Sequence, residues 1–179
     1  MLTISNSMNN GTVSADYGIG GFIGMVQSST NVMLTILDSM NNGDITSGHY
    51  RGGFIGQLTG NTNTNVSISN CSNNGSLTGS SDVYGGFFGT ISSGADFITL
   101  SDCTNNGIVK GGSNIGGFVG RIINTKNNGV IVTMTNLINN AVITSDGFGL
   151  GGFVGRVENN YAIEMTMSNC TNNGDVIGS

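Results

Sequence analysis

The sequence predicts an all-β fold, a right-handed parallel β-helix (β-solenoid) with about 32 residues and three short strands per coil, five full coils and a partial sixth. Three observations predict it. The first is a five-fold return of one stretch: Gly20-Gly21-Phe22-Ile23-Gly24, Gly52-Gly53-Phe54-Ile55-Gly56, Gly85-Gly86-Phe87-Phe88-Gly89, Gly116-Gly117-Phe118-Val119-Gly120 and Gly151-Gly152-Phe153-Val154-Gly155. The second is an Asn-Asn pair that keeps step with it, starting at Asn9, Asn41, Asn73, Asn105, Asn139 and Asn172, with spacings of 32, 32, 32, 34 and 33 residues. The third is alternation of apolar and hydroxyl residues ahead of each pair. A fixed period in this range is the mark of a solenoid, and alternation with period two is the mark of a half-buried strand.

Each coil opens on that alternating strand: Leu2-Thr3-Ile4-Ser5, Leu34-Thr35-Ile36-Leu37, Val66-Ser67-Ile68-Ser69, Ile98-Thr99-Leu100-Ser101, Val132-Thr133-Met134-Thr135 and Met165-Thr166-Met167-Ser168. Its aliphatic residues point inward and its hydroxyls outward. A column of Asn6, Asp38, Asn70, Asp102, Asn136 and Asn169 follows. Asn and Asp tolerate left-handed backbone, so this column is a corner. An inward column of Ser7, Ser39, Cys71, Cys103, Leu137 and Cys170 leads to the Asn-Asn-Gly corner, whose Gly suits a positive φ. A short second strand carries Val13, Ile45, Leu77, Val109, Ile143 and Val176 inward. A variable loop precedes the third strand, in which Phe22, Gly24 and Val26 share one parity. The freely varying Met25, Gln57, Thr90, Arg121 and Arg156 mark its outer side. Right-handedness follows from the strong preference of parallel crossover connections. Columns stacked at the strand spacing make a rod of roughly 25–30 Å, cored by aliphatic, Phe and Cys ladders, with Asn ladders bonding coil to coil at the corners.

Composition narrows the function. Only 8% of residues are charged, and the net charge is −5, against about 25% charged in an ordinary globular domain. Arg51, Lys110, Arg121, Lys126 and Arg156 make no basic stripe, which argues against a nucleic-acid partner. No run of 18 apolar residues is present, so no membrane-spanning helix is expected. The repeat is already under way at Leu2-Thr3-Ile4 and still under way at Asp175-Val176-Ile177. The expectation is a single repeat domain over 1–179 that is a segment of a longer array, with flanking repeats or other copies of itself as partners.

Chemistry finds few candidates. The glycine clusters lack the third Gly of a dinucleotide fingerprint and a following helix, so they read as tight corners. His49 is the only His, which leaves no His-rich metal site. Asp38 and Asp102 share a column two coils apart, roughly 9.6 Å at the strand spacing, on a solvated corner, and no glycosidase pair is expected. No catalytic residue, cofactor or metal is predicted. Cys71 and Cys103 stack in one column, within disulfide range or as free buried thiols, and Cys170 is expected free. Thr3, Ser5, Thr99, Ser101, Thr133, Thr135, Thr166 and Ser168 form an outward ladder that could meet ice, with Thr35/Leu37 and Ser67/Ser69 as weaker rungs. Tyr17, Tyr50, Tyr84 and Phe148, all in the loop before the Gly-Gly-Phe strand, are a candidate sugar-stacking strip for host or environmental glycans. Asn10, Asn65, Asn70, Asn74 and Asn169 head Asn-x-Ser/Thr triplets that could accept glycans in a secreted protein.

The pattern Cys-x-Asn-Asn-Gly-x-Val-x-Gly, followed by Gly-Gly-Phe-Val-Gly-x-Val, resembles the GLUG repeats, with the best copies at Cys71 to Ile91 and Cys103 to Ile122. These repeats occur in bacterial surface proteins and in non-catalytic parts of IgA-cleaving zinc metallopeptidases. The resemblance covers essentially the whole chain and implies an extracellular or cell-surface stalk or adhesin segment. It implies no peptidase activity, because no His-Glu-x-x-His motif is present. The fifth copy departs from the pattern, with Leu137 for Cys and Ala141 for Gly. The expected function is a non-catalytic structural or adhesive repeat. The alternative is a ligand-binding solenoid for ice or glycan.

Overall fold

The computed structural model describes residues 1–60, 62–92, 96–124, 129–159 and 161–179, with backbone alone at 96 and 159. Lys126 lies outside the described residues. Every strand pairing is parallel and joins a residue to its equivalent one coil on; the first-strand register runs Thr3, Thr35, Ser67, Thr99, Thr133, Thr166. The three expected strands are present, and two short ones join them. One coil comprises a front strand (Leu2–Ser5), a corner strand (Met8–Asn9), a side strand (Val13–Ser14), a fold-over strand (Tyr17–Gly20) and a back strand (Ile23–Gln27). Their copies stack into front, corner and side sheets of six strands, and fold-over and back sheets of five.

The Asn/Asp column behaves as its chemistry demands. Asn6, Asp38, Asn70, Asp102, Asn136 and Asn169 all take left-handed φ values between 48° and 54°. The Asn-Asn-Gly glycines do not; the turn is made one step earlier in the chain, at the Asn/Asp column. Gly43, Gly75 and Gly107 are required for a different reason, since a Cβ on each would collide with the carbonyl of the preceding coil's glycine. Close coil approach, not positive φ, selects Gly there.

The back strand also differs from simple alternation. Phe54, Ile55 and Leu58 all enter the core, as do Phe87, Phe88 and Ile91. The intervening Gly turns away: a side chain at Gly89 would strike the backbone of Tyr50 and Arg51 in the fold-over strand one coil below. The expected shared parity of Phe22, Gly24 and Val26 is therefore broken at Gly24, because two backbones meet where that side chain would be. The same layer covers part of the strand's outer side. Met25 is exposed and Arg121 and Arg156 are half-buried, but Gln57 and Thr90 are buried, at 8% and 2% exposure.

The core has two lobes. The larger lies between front and back sheets and contains the stacked phenylalanines, with ring centroids 5.0, 4.7, 4.8 and 5.7 Å apart from Phe22 to Phe153. The smaller holds Ile45, Leu77, Val109 and Ile143 from the side sheet against Ile19, Tyr84 and Ile115 from the fold-over sheet. Between them the first Asn of each pair from Asn41 onward crosses the section and meets the second Gly of a Gly-Gly-Phe stretch. Asn41 faces Gly21, Asn73 faces Gly53, Asn105 faces Gly86, Asn139 faces Gly117 and Asn172 faces Gly152. The two sequence markers keep step because they touch.

Candidate interaction surfaces

The repeated polar residues are engaged with one another. Asn9 donates through Nδ2 to Asn41 Oδ1, and the chain of donors continues to Asn73, Asn105, Asn139 and Asn172, at 2.7, 2.8, 2.8, 2.9 and 2.7 Å. Asn41, Asn73, Asn139 and Asn172 each also donate through Nδ2 to the carbonyl two residues on. Asn41, Asn73, Asn105 and Asn139 are fully buried and bonded, as buried amides must be. The second Asn of each pair forms an exposed ladder that runs the other way, from Asn42 Nδ2 to Asn10 Oδ1 and on to Asn173. The Asn/Asp column alternates so that amides separate carboxylates. Asn70 donates to Asp38, and Asn136 donates to Asp102 at 2.8 Å.

The front face carries one hydroxyl column complete in register from Thr3 to Thr166 and a second that Leu37 interrupts between Ser5 and Ser69. Thr3, Ser5, Thr166 and Ser168 are exposed and Thr99, Ser101, Thr133 and Thr135 half-buried, all on the outer side, with Thr135 and Ser168 hydroxyls 3.3 Å apart. The face also carries apolar residues. Met33 and Phe97 are exposed, beside Asn65 and Ile131 in one column.

The aromatic strip is not assembled as expected. Tyr17 and Tyr50 meet edge to face at 4.8 Å, and burial with the Tyr17 hydroxyl raises the Tyr50 pKa above 10.0. Phe148 is exposed beneath the Arg156 guanidinium, 5.3 Å away, in the fifth coil. Tyr84 is fully buried in the smaller lobe. It pairs in register with Arg51 and Ile115, the residues immediately before the glycine pair, and not with Tyr50. The loops differ in length, so aligning aromatics by loop membership puts Tyr84 in the wrong column. Counting back from Gly-Gly puts Ile19, Arg51, Tyr84, Ile115 and Leu150 together, and a mostly apolar column points inward.

That column hides a residue the sequence reading missed. Arg51 is 2% exposed, with its guanidinium 4.3 Å from the Tyr84 ring centroid. It donates to the carbonyls of Gly48 (3.0 Å), Ile45 (3.4 Å) and Thr78 (2.6 Å). Burial lowers its pKa below the usual value, and burial likewise raises that of Tyr84.

Cys71, Cys103 and Cys170 are free thiols. Cys71 and Cys103 donate to the carbonyls of Ser69 (3.1 Å) and Ser101 (3.0 Å). Its hydrogen bond with Cys71, then burial, pushes the Cys103 thiol far up, so it stays protonated as a small core residue. The candidate glycan acceptors Asn10, Asn65, Asn70, Asn74 and Asn169 are all exposed. Three of them are engaged: Asn10 and Asn74 in the outer ladder and Asn70 with Asp38. His49 is exposed beside Tyr50, and among the described residues no group of three His, Cys, Asp or Glu could hold a metal ion.

Comparison with known proteins finds no matching family model, no matching curated protein and no matching solved structure.

Proposed function

We propose that this chain is a non-catalytic structural and adhesive solenoid of the cell exterior, a stalk, fibre or adhesin segment of the GLUG type. One observation carries the reading. The residues that recur in every coil, Asn-Asn, Gly-Gly-Phe and the aliphatic front column, are spent on contacts with the next coil. A repeat preserved for stacking supplies length and stiffness, and stability in such arrays comes from neighbouring repeats. On this reading the partners are further coils of the same repeat, and the variable loops decorate the rod.

Two measurements test it. Tagged protein in its own cells should be shaved by external protease. Deleting one period, residues 73–104, should leave a folded solenoid one coil shorter with graded loss of surface function. Protein held inside the cell, or complete loss of function from a deletion that still folds, would overturn the proposal.

A second reading rests on the column Thr3, Thr35, Ser67, Thr99, Thr133 and Thr166, a hydroxyl in every coil, which favours a flat ordered ligand such as ice on the front face. Thermal hysteresis of the protein, abolished by Thr99→Tyr and Thr133→Tyr, is its expected signature. An ordinary freezing curve excludes it.

A further inference from the structure

In each corner strand the first Asn of the pair points inward, so the residue before it points outward. That outward column reads Met8, Met40, Ser72, Thr104, Ile138 and Thr171 in register. Two residues earlier stands the left-handed column that begins Asn6, Asp38 and Asn70. The two columns flank a groove of about 400 Å³. Five of its seven lining residues, Asp38, Ser39, Met40, Asn70 and Ser72, belong to the second and third coils, so the groove lies on the flank of the rod.

The groove brings two thioethers to one carboxylate. Met8 and Met40 both line it and are register partners. Partners in adjacent strands stand about 4.8 Å apart. Two metal–sulfur bonds of about 2.3 Å each span nearly that distance, so one ion can take both sulfurs. Asp38 carries the one formal charge among the lining residues. Its Oδ1 accepts from Asn70 Nδ2 at 3.3 Å, which holds the carboxylate by one oxygen. Ser39 is buried and already engaged: its hydroxyl donates to Leu37 O at 2.8 Å and accepts the Ser7 N–H at 3.2 Å. Cys71 is turned into the core with its proton on Ser69 O, so the sulfur offered to the groove is thioether.

We propose that Met8, Met40 and Asp38 form a binding site for a soft monovalent metal ion of the Cu(I) and Ag(I) class. Sulfur ligands select soft ions, whereas calcium and magnesium take shells of oxygen, and zinc takes thiolate, imidazole or carboxylate. Charge points the same way. Two neutral thioethers and one carboxylate balance a single positive charge and leave a divalent ion uncompensated. The rod carries its own control. Asp102 repeats the carboxylate two coils on, but the outward column beside it is Ser72, Thr104 and Ile138, with no sulfur. The site is therefore expected at the methionine pair and not at Asp102. It is independent of the adhesive reading, since coil stacking uses none of these three side chains.

The test titrates silver nitrate, a redox-inert probe, into the full chain isotopically labelled at its methionine methyls, in chloride-free buffer. Silver taken up by the thiols leaves the methyl resonances of the groove unmoved, so the readout reports the groove itself. Met8 and Met40 are expected to shift together, saturably and with one midpoint. Met25, whose register neighbour is Gln57, should stay in place over the same range. Met40→Leu, a near-isosteric change that keeps the fold, is expected to weaken the Met8 response by about tenfold or more, since even outer partners of a metal act on that scale. Asp38→Asn should weaken it as well, because the balancing charge is lost. Absence of a shift, separate midpoints for the two methyls, a Met8 response unchanged in Met40→Leu, or an equal response to zinc would overturn the proposal.

Discussion

The two lobes of the core are built from the same 32-residue period and obey it differently. In the larger lobe one column repeats a single residue type through five coils: Phe22, Phe54, Phe87, Phe118 and Phe153 stack almost face to face. In the smaller lobe the register column reads Ile19, Arg51, Tyr84, Ile115 and Leu150. The difference follows from what surrounds each. The larger lobe is closed on both sides by long strands, so a change of side-chain volume in one coil is felt by the coils above and below. The smaller lobe is bounded by side strands of two or three residues and by loops of variable length, which can move to fit an arginine or a tyrosine. The Phe column is thus held to one residue type where two sheets clamp it, while the column before the glycine pair is free to vary where loops bound it.

This comparison can be broken at several points. Phe87→Ala removes the centre of the stack and should cost about 3–5 kcal/mol in denaturant melts; a loss below 1 kcal/mol would show that the larger lobe is not clamped. Asn73→Leu cuts the partition between the lobes. It strips Asn41 Nδ2 of one acceptor and Asn105 Oδ1 of its donor, and it puts branched carbon against Gly53. A loss of about 2–3 kcal/mol is expected, the scale of buried polar groups left unsatisfied, and an unchanged midpoint would sink the idea that the Asn ladder holds the lobes in step. Arg51→Met should change stability by no more than about 1 kcal/mol, because release from burying a guanidinium without a carboxylate offsets the three carbonyl bonds it loses; a loss as large as that of Phe87→Ala would mean that the smaller lobe is as demanding as the larger. Thr99→Ala, on the outer side of the clamped lobe, should stay within about 0.5 kcal/mol.

Alkali offers a further probe of the smaller lobe. Tyr84 has its pKa raised by burial, so the folded chain holds that proton more tightly than the unfolded chain. Stability is then unaffected below the ordinary value of 10.0 and falls as pH rises above it. Tyr84→Phe should blunt the fall measured by denaturation between pH 9 and 11. An identical pH profile in the variant would assign the alkaline loss to Tyr50 or to other groups.

Much of this was legible in the sequence, because residues one period apart become neighbours. The front-strand alternation placed Leu34, Ile36, Val66 and Ile68 inside and the hydroxyls outside, and the Asn/Asp column announced its left-handed corner. Contacts across the section were not legible. Nothing in the period says that Asn73 crosses to Gly53, since that depends on how far apart the walls stand. The Gly89 column looked like an inward position because alternation ignores the fold-over strand that presses on it. Tyr84 and Arg51 were misread for a related reason: a loop of changing length breaks the count from one side, and only the count back from the glycine pair restores it.

The outer Asn ladder has a chemical consequence over time. Asn followed by Gly is the sequence most prone to cyclise and deamidate, through attack of the glycine nitrogen on the side-chain carbonyl. Five such pairs line one edge, from Asn10-Gly11 to Asn173-Gly174. In four of them the attacking nitrogen is tied to the coil below: Gly43, Gly75, Gly107 and Gly174 donate to the carbonyls of Asn9, Asn41, Asn73 and Asn139 at 3.1 to 3.2 Å. Gly11 has only the side chain of Asn9, at 3.3 Å. Ageing of the folded protein should therefore be slow at the four tied sites and follow local opening of each coil, every conversion adding a carboxylate to a column of amides, so the order in which those sites deamidate records the order in which the coils come loose.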